Sequence, residues 1–209
     1  MAKRGLNVDQ FTFCIGEGGV GLSMISSHIA AMFGTANHKY FDPNVFYMDD
    51  EMRKVVETLA GGCIFTGQEK PSGCKNPLRE DLIKKMATAE GIAGRMPYAI
   101  LTKLVKLVGW KRIECNTMFK FDDITEGNLE SITRRCAVVP MYCKFFDAQA
   151  YESKLAQYNP ERCGLFARDP TAGAFLTSAQ GCAAGLVMQH QFAMTHSLTD
   201  IRRIISNYT

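Results

Sequence analysis

Phe11-Thr12-Phe13-Cys14-Ile15-Gly16-Glu17-Gly18-Gly19-Val20-Gly21-Leu22 is the stretch on which the fold turns. Its first five residues are short, apolar and β-prone, and read as a buried strand. Four glycines follow within six residues. Then Leu22, Ile25, Ile29 and Met32-Phe33 recur at helical spacing until Gly34 stops them. Strand, glycine turn and helix in that order suit a phosphate. Glycines let main-chain amides approach an anion with no Cβ in the way. A helix beginning near Gly21 adds its first N–H groups and the positive end of its dipole. Gly16, Gly18 and Gly21 also satisfy the dinucleotide spacing. No Gly-Lys-Ser/Thr is present, which on that criterion excludes a Walker-type loop. Glu17 opposes a phosphate unless it points away or meets a metal. A glycine turn at this place also serves as plain structure.

Working outward, residues 35–43 are polar and read as loop, and 44–48 as a second strand ending at Asp49-Asp50. An acid there takes ribose hydroxyls in a dinucleotide site, so Asp49 is the candidate. The run Asp49-Asp50-Glu51 suits Mg²⁺ beside phosphates, or equally a helix start favoured by the dipole. Further on, a helix over 52–59, a short strand at 63–65 and a turn-rich loop over 66–77 are predicted. Lys70 and Lys75 flank glycine in that loop, within reach of a phosphate or simply in solvent. Helices over 78–89 and 97–108, strands over 113–121 and 137–139 and a helix over 147–158 follow. A loop over 159–170 then leads into one long apolar helix over 171–194 and a helical tail over 197–206. Strands alternating with helices predict an α/β domain over 1–209, with a mainly parallel sheet covered on both faces.

The 209 residues suffice for a core without disulfides or metal. A net charge of +3, with basic residues scattered, argues for neither nucleic acid nor a membrane surface. Met1-Ala2-Lys3-Arg4 leads into polar Asn7, Asp9 and Gln10 with no apolar signal core, and no run reaches membrane-spanning length, so a cytoplasmic protein is expected. None of the 8 cysteines forms Cys-x-x-Cys, which favours reduced core thiols over a metal, a cluster or disulfides. The 4 histidines form no His-Glu-x-x-His, and structural roles are the default; no metal site is assigned. The helix over 171–194 is apolar nearly all round, which predicts burial in the core or against another subunit.

The order of these motifs resembles the nucleotide-binding domain of the tubulin/FtsZ superfamily. Phe13 to Gly21 is similar to its first strand and glycine loop, and Val45 to Met52 to its second strand and following helix. Gly67, Gly73 and Asn76-Pro77 resemble its loop ending in Asn-Pro. Gly91 and Gly94 stand where its signature glycine loop lies, though the signature itself is absent. Thr117 to Asp122 resembles a further family loop, Ala174 to Met194 its central helix, and Thr195 to Ile201 its last catalytic loop. The resemblance implies a Rossmann-like fold that binds GTP or GDP, with Mg²⁺, through Gly16, Gly18, Gly19, Gly21, Asp49, Gly73, Asn76, Gly91 and Gly94. It implies Asp200 as a catalytic acid, completed between neighbouring subunits of a homo-oligomer or larger assembly. Ser197 stands where the other acid belongs and the family's activation domain has no counterpart, so weak or no hydrolysis is expected. Two other functions fit the residues: a structural subunit that has lost its site, and an NAD(P)-dependent oxidoreductase.

Overall fold

A computed structural model describes residues 9–47, 49–68, 78–94, 103–117, 119–120, 126–155 and 164–195. Five strands, β1 (Phe11–Ile15), β2 (His38–Phe41), β3 (Ile64–Gln68), β6 (Trp110–Cys115) and β7 (Cys136–Pro140), form one sheet. Its order is β2-β3-β6-β1-β7, and every pairing is parallel. Helices α1 (Leu22–Phe33), α2 (Asp49–Leu59), α3 (Glu80–Ala87) and α4 (Glu126–Arg135) lie between strands. The predicted α/β class with a mainly parallel sheet is what the chain adopts.

The sheet has two unlike faces, set by strand alternation. Phe11 and Phe13 share one face with Ile113 and Cys115, and there the aromatic core closes under α2 and α3 through Phe46, Met52, Val56, Leu82 and Met86. Phe11 and Phe41 each meet Phe46 edge to face, at 5.4 and 5.7 Å. The opposite face is polar. Thr12 accepts from the Trp110 indole at 2.9 Å, His38 bonds Thr66 at 2.8 Å, and Arg112 lies 5.3 Å from the Trp110 ring centre. Ser26 of α1 donates to Glu114 across this face.

Several local expectations are corrected. Residues 44–47 are not a strand. Pro43–Phe46 is a single 3-10 turn, started by the Asp42 carboxylate accepting from Asn44 N–H at 2.9 Å. Val45 and Phe46 are apolar because they plug the core, and the strand is the more polar β2 before them. The helix expected over 97–108 fails at its end: β5 (Lys103–Val105) pairs antiparallel with β4 (Ile92–Gly94). The loop expected over 159–170 contains β9 (Gly164–Ala167), which pairs parallel with β8 (Cys143–Phe146) around α5 (Ala148–Leu155). The long helix is broken into α6 (Ala172–Thr177) and α7 (Ala179–Thr195). Ser178 is extended between them, and its hydroxyl caps Gly181 N–H at 3.1 Å. On α7, Leu186, Val187 and Met188 are exposed rather than buried in this chain's core. No described helix is long and apolar enough to cross a membrane.

Candidate functional site

The glycine loop is anchored at three points. Gly16 N–H donates to Cys115 C=O at 3.1 Å, Met141 N–H to Ile15 C=O at 2.7 Å, and Phe145 N–H to Gly19 C=O at 2.9 Å. Gly19 and Gly21 hold φ of 90° and 82°, a left-handed backbone that side chains disfavour. A Cβ on Gly16 would stand 3.0 Å from Met141 Cβ and closer to Val20. Gly18 differs: its φ is unexceptional, and a Cβ there meets nothing within 4 Å. No side chain caps the start of α1, and no acid occupies its first turn. Its leading N–H groups therefore face outward with the dipole behind them.

Above the loop opens a cavity of about 730 Å³, large enough for a nucleotide. Gly18, Gly19, Gly21, Ser23 and Ser27 form one wall, Glu114 and Asn116 stand at and just past the end of β6, and Phe145 with Arg168, Asp169, Pro170, Ala172 and Gly173 forms the far side. Glu17 does not plug it. That side chain is 76% exposed and takes a hydrogen bond from Lys144, which holds its carboxyl below the usual range. Glu114 is buried at the floor, and burial raises its pKa. Opposing that, Ser26 donates to it and the Arg112 guanidinium donates at 2.7 Å. Asp169 accepts from Thr171 N–H at 2.8 Å and Oγ1 at 2.7 Å, which lowers its pKa and starts α6.

The expected site residues divide. Gly18, Gly19 and Gly21 line the cavity, and Gly16 shapes the turn beneath it. Asp49 begins α2, which follows β2, and β2 lies three strands from β1, about 14 Å at ordinary strand spacing. Gly91 and Gly94 belong to the β4–β5 hairpin, where a Cβ on Gly94 would run into Val56 at 2.7 Å. Gly94 serves close packing on α2 and Gly91 packs against Leu104 of β5, both away from the cavity lining. Gly73, Asn76 and Asp200, with Lys70, Lys75 and Ser197, lie outside the described residues. Among the described residues no group of three His, Cys, Asp or Glu could hold a metal. Cys14, Cys63, Cys115, Cys136, Cys143 and Cys182 are free thiols.

Sequence reasoning missed Ser23, Glu114, Asn116, Phe145 and Arg168 as cavity residues. One signal was available. Gly16-x₄-Gly21-x-Ser23 is the spacing of the Gly-x₄-Gly-Lys-Ser/Thr phosphate loop, with Leu22 where lysine stands. Rejecting that loop on the missing lysine alone passed over Ser23, at the position whose hydroxyl meets Mg²⁺ in such loops.

No protein-family model matches the chain, and no curated protein does. Among solved structures, the chain is similar to the C-terminal region of NrS-1 in an apo form, with TM-score 0.46 and 15% identity. The match covers 84% of this chain and 36% of that one. A likeness at this level carries no functional argument, and the tubulin/FtsZ resemblance rests on the sequence motifs alone.

Proposed function

We propose that this chain binds the polyphosphate of a nucleoside triphosphate, together with Mg²⁺, on the loop from Gly16 to Gly21, with weak or no hydrolysis. The observation that carries the reading is the open cavity over the loop, and Gly18 within it. Packing or backbone geometry accounts for Gly16, Gly19 and Gly21, whereas a Cβ at Gly18, a lining residue of the cavity, would meet nothing within 4 Å. Three carboxylates line the cavity (Glu17, Glu114, Asp169), so a phosphate enters best with a divalent cation, and Ser23 offers a hydroxyl to it. Leu22 removes the point charge that stabilises phosphoryl transfer, which makes turnover slow. Guanine is the base the resemblance favours.

The dinucleotide alternative is weakened by strand order. In that fold the first strand lies between the second and fourth, whereas β1 lies between β6 and β7. A role as an assembly subunit draws support from exposed Leu186, Val187 and Met188 on α7.

The test is a thermal-shift series with Mg·GTP, Mg·ATP, NAD and Mg²⁺ alone, on wild type and Gly18→Val. A ligand at about 100 times Kd stabilises by about 2.7 kcal/mol. For a chain of this size that is roughly 5–10 °C in Tm. Wild type should shift with a triphosphate and Gly18→Val should not, at equal ligand-free Tm. Equal shifts in both proteins, or none in wild type, reject the reading.

A further inference from the structure

A phosphate loop without its lysine needs the charge from elsewhere, and the cavity wall offers one. Among the described lining residues, Arg168 is the single cationic side chain. It directly follows β9, and its N–H donates to Phe146 C=O at 2.6 Å, which continues the β8–β9 ladder and fixes where the side chain starts. Alternation places it on the same face as Phe166, whose ring stacks on Phe145 with centroids 5.5 Å apart. The Phe145 ring in turn packs over Gly21, 3.5 Å from where a Cβ would be. The face of the ribbon that carries Phe145 therefore looks onto the start of α1. Lys144, one residue before Phe145, is on the other face and is held by Glu17.

We propose that Arg168 supplies in cis, from the β8–β9 ribbon, the positive charge that Leu22 withholds from the loop, and that it clamps the terminal phosphates of the bound triphosphate. This rests on the polyphosphate reading above. Arg168 is 68% exposed and faces Asp147 at 3.8 Å, a loose pair between exposed groups that is easily given up. A guanidinium presents a planar fork that matches two phosphate oxygens at once, which an ammonium does not. The residue thus acts as a binding and positioning group.

The experiment measures Kd for Mg·ATP and Mg·GTP by calorimetry. It uses wild type, Arg168→Ala, Arg168→Lys, Leu22→Lys, the double variant Leu22→Lys/Arg168→Ala, and Arg53→Ala on the exposed side of α2 as a charge control. Arg168→Ala should weaken binding roughly tenfold to hundredfold, the cost of removing a charge-assisted phosphate contact. Arg168→Lys should fall between, Arg53→Ala should match wild type, and Leu22→Lys should rescue Arg168→Ala. Ligand-free melting confirms that each variant folds. If wild type binds and Arg168→Ala binds equally well, this inference fails while the polyphosphate reading stands. If wild type binds no nucleotide, both fail. Rescue absent in the double variant also overturns the substitution of Arg168 for the loop lysine.

Discussion

Lys111 sits in the middle of the sheet at 0% exposure, its ammonium donating to the Ala87 carbonyl at 3.1 Å. Burial pushes its pKa down from 10.5 to about 8, against the opposing pull of Asp9. Between those values the unfolded chain holds a proton that the folded chain has released. Stability therefore rises with pH through this window, and is lost again as pH falls through about 8. The full span of the shift corresponds to about 3 kcal/mol. Linkage places about 2 kcal/mol of it between about pH 7.5 and about pH 9.5. Lys111→Met keeps the volume and removes the titration. Urea melts of both proteins at the two pH values isolate the term, because tyrosines and cysteines titrate in both. With a slope of about 2 kcal/mol per molar urea, wild type should gain roughly 1 M in midpoint relative to the variant. A pH response in Lys111→Met within about 0.5 kcal/mol of wild type would refute the burial argument.

Gly109→Ala should abolish or severely reduce folding. Gly109 holds φ at 145°, and a Cβ there would overlap the Cys63 carbonyl, which also accepts from Trp110 N–H at 3.0 Å. Thermal melts should show a loss of about 3 kcal/mol or more, and a melting point near wild type would contradict the geometry. Glu114→Ala leaves the Arg112 guanidinium buried without its carboxylate and should cost about 3–5 kcal/mol in denaturant melts. Glu114→Gln, which still accepts from Ser26, should cost less; equal losses would mean that the carboxylate's charge carries the whole contribution and its hydrogen-bonding shape none.

The parts of the fold legible in the sequence were those whose signals are local. Phe11–Ile15 is extended, and the helix after the loop ends at Phe33 before Gly34, as apolar spacing and a glycine stop imply. Burial on its own was the misleading signal. Val45 and Phe46 are apolar because a 3-10 turn drives them into the core, and Leu104 belongs to a hairpin in which it is exposed. Long-range arrangement left no local trace. Lys111, Arg112 and Glu114 look like a surface strand by composition, yet all three are buried, the latter two paired at 2.7 Å. The near wall of the candidate site was readable as Gly18 to Gly21. The far wall was not, because Phe145 and Arg168 reach the loop only through a ribbon more than a hundred residues away in the chain.

The position of β1 has a consequence for how the chain is born. Phe11 pairs with Lys111 on one side and Cys136 on the other, so both neighbours of the first strand are made long after it. At translation speeds of about 5–20 residues per second, Phe-Thr-Phe-Cys-Ile waits roughly 5 to 25 seconds with no ladder partner. A nascent segment that is apolar, β-prone and uncharged is a sticky edge for that whole interval. Chaperone demand and expression yield should thus respond to changes in that pentapeptide more than the stability of the finished domain does.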